Sequence, residues 1–436
     1  MNGANTSKSL LVADARTTKR NAAERRFKAY GLGALAISFA FLLVLMTAII
    51  GNGTRAFTQT FISVPLTLDA AEVEAAEASI VKTSKYKAMV GGALSSALSA
   101  VGIETEMDDK ALLMMVSASA GSDLREFALA HPESYGVAQD FAFLASSRVD
   151  GYLKGRVTRG DLTEDKNLDA AHLDLVDQMR AAGLVERKFN WAFILGSDAS
   201  ESRPEAAGMG VSALGSLYMM LVVLGLSLPI GVSAALYLEE FAPKNRLTDL
   251  IEVNISNLAA VPSIVFGILG LAVFIQFAHL PQSAPLVGGL VLTLMTLPRI
   301  IIPARAALKA VPPSIRDAAL GVGASKMQTT LHHVLPLALP GILTGVIIGM
   351  AQALGETAPL LLIGMVGFVA SNTPESFIDG FTSPNSAMPA QIYEWAKRAD
   401  PAYYERAWSG IILLLVFLMA MNLVAVLLRR RFERRW

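Results

Sequence analysis

The sequence predicts an all-α polytopic membrane protein with six transmembrane helices and one inserted soluble domain of mixed α/β type. Three observations carry this reading. Of 436 residues, 53% are hydrophobic and only 17% charged, a balance outside the soluble range. The apolar residues gather in uncharged runs, each long enough to supply the roughly 20 residues that cross a hydrocarbon layer. Residues 55–205 break that pattern, with charges of both signs every few positions. The formal net charge is zero, so nothing argues for nucleic acid as a partner. The absence of cysteine excludes disulfides, thiolate metal sites and cysteine nucleophiles.

Taken in order, residues 1–28 form a polar tail that ends in Lys19, Arg20, Arg25, Arg26 and Lys28. The uncharged stretch 29–54 is span one, and its basic flank predicts a cytoplasmic N-terminus. Its apolar part is longer than a signal peptide usually carries and no good small-x-small site follows, so it is expected to remain as an anchor. In the insert, 55–205, helical spacing of apolar residues covers 70–100, 109–130 and 168–183, while 60–68 and 189–195 read as strands. His131 and His172 lack metal-ligand spacing and are expected to be surface or packing residues.

The chain is uncharged again over 206–238, span two, before the polar loop of Glu239, Glu240, Lys244, Arg246 and Asp249. Residues 253–298 are too long for one helix, and the two prolines of LPQSAP (280–285) divide them into span three (256–277) and span four (286–306). Span five lies within 334–374, where Glu356 is the one ionisable residue. Gly341, Gly345 and Gly349 recur every fourth residue there and let another helix approach, within this subunit or across a subunit interface. Residues 367–406 form a polar outer loop, 407–428 span six, and the arginine-rich tail 429–436 is expected in the cytoplasm.

Between spans four and five lies the polar segment 309–336. Ile315, Ala318, Ala319 and Val322 fall at spacings of three and four, one narrow apolar face of a helix. Gly321 and Gly323 let the backbone turn. The Leu-Pro pairs at 335–336 and 339–340 are expected to stop a second short helix and start span five. The product is a helix-turn-helix knob.

Asp317, Ala318, Ala319 and Gly323, with Leu-Pro a dozen residues on, resemble the EAA loop of ABC importer permeases. Asp317 stands for the usual Glu, and His333 where an aliphatic residue is usual. In that family the loop is the coupling helix that docks into an ATPase subunit. VPSIVFG (261–267), ALGETAPLL (353–361) and QIYEWA (391–396) narrow the resemblance to PstA-type permeases of bacterial phosphate importers. It covers 206–436, the permease domain with spans two to six. The insert departs from shorter members and resembles the extended N-terminal periplasmic region of some bacterial ones. The resemblance implies a multi-pass protein of the inner membrane that moves inorganic phosphate from periplasm to cytoplasm. It also implies a heterodimer with a second permease, two copies of an ATP-binding subunit and a periplasmic phosphate-binding protein. An arginine of the fourth span is linked to transport in the family, which makes Arg299 and Arg305 the matching positions.

A carboxylate within a span costs a few kcal/mol, so Glu356 needs a partner or a water-filled cavity. Arg299 and Arg305 are its expected partners, and guanidinium suits an oxyanion cargo. With Thr357 of the GETAP stretch these residues make the candidate translocation path, a structural ion pair being the alternative for Glu356. No Walker loop, HExxH or GxSxG string occurs, so no catalytic residue, metal or cofactor is expected and ATP is assigned to a partner chain. Alternative functions are a permease for another oxyanion, molybdate or sulfate, and a non-transporting membrane sensor or scaffold. An ion-coupled transporter would want intramembrane carboxylates on several spans.

Overall fold

The computed structural model describes residues 15–160, 168–200, 203–365, 374 and 376–432. The start of the N-terminal tail (1–14), the end of the fifth-span stretch (366–373) and residues 433–436 of the basic tail lie outside the described residues. The chain divides into two units at Asn52. The first holds helix α1 (Ala15–Gly53) up to Asn52, Gly53 belonging to the second unit; its 39 residues run unbroken from the basic cluster through the apolar run. At 1.5 Å per residue such a helix is about 58 Å long, so its polar turns extend past a layer of about 30 Å.

In the second unit the soluble insert is built on a three-stranded antiparallel sheet of order β2-β1-β3. Strand β1 (Thr58–Thr67) is central; β2 (Ala138–Leu144) pairs along Phe61 to Thr67 and β3 (Val185–Phe189) along Thr58 to Ile62. Alternation along β1 sends Ile62, Val64 and Leu66 to one buried face. Helices α2 (Lys82–Ala100), α3 (Ala120–Ala130) and α4 (Ala170–Ala181) cover that face with Tyr86, Val90, Leu94, Leu124, Leu173 and Met179. His172 closes a capping box with Asp169 at the start of α4, and His131 pairs with Glu133 on the surface. Both are local structural groups, as expected.

The strand expected over 189–195 is a helical turn instead. The stretch 189–195 is extended only to Phe189, because the Asn190 side chain accepts from Phe193 N and caps a helical turn, Trp191–Leu195. The strand β2 went unforeseen, since AQDFAFL alternates too weakly to announce itself.

The membrane part contains α5 (Gly210–Leu236), α6 (Arg246–Ala259), α7 (Ser263–Gly270), α8 (Pro285–Lys309), α9 (Pro313–Gly321), α10 (Leu335–Gly355), α11 (Met388–Lys397) and α12 (Pro401–Phe432). Among the described residues five helices are long and apolar enough to cross a membrane. A sixth crossing comes from α6 and α7 only if that pair, bent by 100°, counts as one span. Span three is therefore not the single helix expected over 256–277. Pro262 disfavours helical φ/ψ at Val261 and becomes the N-cap of α7, while α6 buries no residue. Helix α7 continues through a π-helical turn to Phe277.

Helix α8 is the centre of the packing, with α5 on one side and α10 on another. Val287, Val291, Met295 and Ile300 of α8 meet Met219 and Val223 of α5 and Met350 of α10. The glycine stripe of α10 is used inside this chain. A Cβ at Gly341 would meet Ala307, one at Gly345 would lie 2.7 Å from the Pro303 ring, and one at Gly349 would press on Thr296.

Candidate functional site

Helix α8 carries both arginines, and its geometry separates them. Six residues at about 100° each place Arg305 about 120° around the helix from Arg299. Only Arg299 turns to Glu356: Nη1 lies 3.7 Å from Oε1, with the two side chains 22% and 19% exposed. At that distance the charges attract without a hydrogen bond, and Nη1 has no hydrogen-bond partner among the described residues. Arg305 reaches other acids instead, Glu252 of α6 at 2.6 Å and Glu239 at 3.5 Å, so it is not the partner of Glu356. Glu356 itself is not mid-helix. It caps the C-terminus of α10, and Thr357 begins the short helix Ala358–Leu362, its carbonyl accepting from Leu360 N and Leu361 N. The carboxylate thus sits at a break in the helix, with Arg299 opposite.

The knob is a helix, a turn and a second helix, as expected. In α9, Asp317 and Ala318 are exposed and Ala319 is buried. The helix ends in a Schellman motif: Ala324 N donates to Ala319 O and Gly323 N to Leu320 O, with Gly323 at φ +90°. Ser325 and Gln328 then form a reciprocal capping box that opens Lys326–Thr329. The Leu-Pro pairs do not stop this helix. A π-helical turn, Thr330–Val334, widens it just before Pro336, and the chain continues into α10 with Pro340 inside. Leu320, Val322 and Met327 stand exposed around the turn, an apolar cap on the knob.

Sequence reasoning missed what holds the knob. Arg316, next to Asp317, donates from Nη2 and Nε to Glu240 at 2.6 and 3.2 Å and to the Leu308 and Val311 carbonyls. Glu240 lies in the π-helical turn Tyr237–Phe241 after α5, so one guanidinium ties α9 to the ends of α5 and α8. The neighbouring Glu239 faces Arg305 and Lys309 of α8. An adjacent acidic pair after one span and basic residues after another were the available signal.

A second set of unforeseen contacts joins the insert to α11 and α12. Arg406 is buried and donates to the carbonyls of Pro204, Glu205 and Ala207 and to Gln59 Oε1 of β1. Lys154 is sealed between Asp150 at 2.7 Å and Glu405 at 2.9 Å. Asp198 accepts from Trp395 Nε1 and from Arg398, each at 2.9 Å, which gives the tryptophan of QIYEWA a structural task. Burial raises the carboxyl pKa of Glu205, although it accepts a short hydrogen bond from Ser117. No cluster of three or more metal-ligating side chains occurs among the described residues.

Residues 227–436 match the family described as the binding-protein-dependent transport system inner membrane component, and residues 14–162 match a domain of unknown function (DUF3333). The phosphate transport system permease protein PstA 1 of Mycobacterium tuberculosis is 30% identical over 224 residues, 51% of this chain and 71% of that protein. The probable ABC transporter permease protein YqgI of Bacillus subtilis is 30% identical over 236 residues, 52% of this chain and 80% of that one. PstA of Yersinia pestis is 29% identical, covering 51% and 73%. Among solved structures, the MetNI methionine ABC transporter in an inward-facing conformation is 15% identical with a TM-score of 0.40, covering 51% of this chain and 95% of that one.

Proposed function

Because this chain belongs to the family of PstA-type phosphate transport permeases, we propose a mechanism in which motion of a partner ATPase enters at the knob and opens a phosphate path beside Arg299. The chain is a multi-pass membrane protein and the permease subunit of a phosphate importer. In the proposed assembly it pairs with a second permease in the inner membrane, its termini cytoplasmic. The assembly includes two copies of an ATP-binding subunit, one of which seats on the knob, and a periplasmic phosphate-binding protein delivers cargo. The chain itself holds no cofactor in this scheme, and ATP stays with the partner.

The match over 227–436 carries the reading, since that segment encloses both the knob and the Arg299–Glu356 pair. The geometry supports a direct mechanical route. Asp317, Ala318, Ala319 and Gly323 form the docking elbow, and Arg316 passes its displacement to Glu240 and to the end of α8. Arg305 lies about 9 Å along α8 from Arg299 at 1.5 Å per residue, so a shift at the end of α8 moves Arg299 against Glu356. With no hydrogen bond to Nη1 among the described residues, Arg299 can offer it to a phosphate oxygen, while Glu356 keeps the anion from binding too tightly to leave. Thr357 at the helix break supplies a neighbouring hydroxyl. Arg305, held by two carboxylates, acts by positioning α8.

The test is uptake of radiolabelled phosphate in a strain lacking this chain. The wild-type chain is expected to restore uptake, whereas Asp317→Arg and Arg299→Ala fail to, at equal amounts of chain in the membrane. Restored molybdate or sulfate uptake with phosphate unchanged would overturn the cargo.

A further inference from the structure

The insert carries an apolar patch that its own fold leaves uncovered. Phe189, Trp191 and Leu195 are 48%, 64% and 73% exposed, and the Phe189 and Trp191 rings lie against each other at 4.8 Å. On a domain surrounded by water, three such side chains together would be an unexplained cost. Their position resolves it.

The patch is fixed at the level where spans begin. Met209 N donates to Phe193 O and Gly210 N to Gly196 O, so the turn Trp191–Leu195 is bonded to the first residue of α5. The Leu195 backbone packs so closely on Gly210 that no side chain fits there. On the other side Asn190 bonds to the carbonyls of Phe57 and Ala56, and nearby Gly53 packs on Trp408 and Ile412 of α12. The patch cannot rise away from the ends of these helices without breaking those bonds.

It also continues a surface stripe. Leu214, Leu217, Leu221 and Leu224 of α5 are exposed at spacings of three and four, and Gly210 opens the same face. Close helix contacts within a membrane favour small residues, and Gly215 and Gly231 meet neighbours elsewhere on α5. A stripe of leucines suits acyl chains. At its upper end the composition changes to Trp and Phe, beside a β3 strand whose Lys188 pairs with Glu186 and whose Arg187 donates to the Leu153 carbonyl. Aromatic rings at the headgroup level are the interfacial arrangement of membrane proteins.

We propose that Phe189, Trp191 and Leu195 form a lipid-facing foot on which the insert rests in the headgroup region of the bilayer. The occupant is a phospholipid surface, and the foot fixes the height and tilt of the insert over the membrane. This rests on the membrane-spanning reading alone and stands whatever the cargo.

The chain has no cysteine, so single thiols report cleanly. Trp191→Cys, Leu195→Cys and the control Ile80→Cys, fully exposed far along the insert, carry spin labels in the full chain. The chain is reconstituted in nanodiscs of phosphatidylethanolamine and phosphatidylglycerol. Collision rates with oxygen, which partitions into lipid, are compared with those of a water-soluble nickel chelate. Oxygen is expected to dominate at 191 and 195, with the order reversed at 80. Nickel dominating at all three positions overturns the proposal. So does exclusion of both reagents at 191 and 195, which would mean cover by protein.

Discussion

Arg299 and Glu356 attract each other at 3.7 Å without a hydrogen bond, and both side chains keep some exposure. Lacking a hydrogen bond, such a pair holds the two helices less firmly than a buried bonded one. Glu356→Gln is therefore expected to leave the thermal midpoint nearly unchanged while lowering phosphate uptake. A large loss of stability with normal uptake would make the pair structural. In the insert, Glu77 has the opposite design. Arg125 holds both its oxygens, with Lys82 beside it, and these bonds pull its pKa from 4.5 to about 2. A carboxylate whose pKa is depressed by folding contributes stability above its unfolded value and loses it as pH falls through the folded one. Glu77→Gln should therefore destabilise most at neutral pH. Melting curves of mutant and wild type should converge between pH 4.5 and about 2.

At the scale of elements, the knob depends on its turn and on its tether. Gly323 has open space around it, so a substitution there acts through φ alone. Gly323→Val is expected to cost about 1–2 kcal/mol locally and to lower uptake, with the chain still inserted. Gly323→Asn, which tolerates positive φ, should retain most activity. Arg316→Ala removes charge-assisted bonds, each class of which is worth about 1.5–3 kcal/mol, and leaves Glu240 without its guanidinium partner. Uptake should fall more than the amount of membrane-inserted chain. Helix α10 meets α8 through glycines, and Gly345→Val would drive a branched side chain into the Pro303 ring. A loss of about 1–3 kcal/mol by overpacking is expected, measured as a lowered melting temperature in detergent.

At the scale of the whole molecule, the insert and α12 are joined by buried charges that lie far apart in sequence. Glu405→Gln leaves Lys154 with Asp150 alone and takes a carboxylate from Arg156, and should lower stability by about 1.5–3 kcal/mol, the worth of a hydrogen bond to a charged group, measured by denaturation of the full chain. Much of the plan could be read beforehand. Uncharged runs announce spans because a bilayer tolerates few charges, and the spacing of Ala318, Ala319 and Gly323 announces a helix and its turn because both are local. The helical angle already separated Arg305 from Arg299, a signal that the one-dimensional pairing with Glu356 passed over. By itself the sequence determined a polytopic membrane protein, its soluble insert and the knob with its glycine turn, since periodicity and local sterics act between near neighbours. Only the tertiary structure decided which arginine faces Glu356, that Arg316 holds the knob, that the glycine stripe serves α8, and that Arg406 anchors the insert. Those outcomes depend on which surfaces meet across long separations, where direction and desolvation, not residue type, choose the partner.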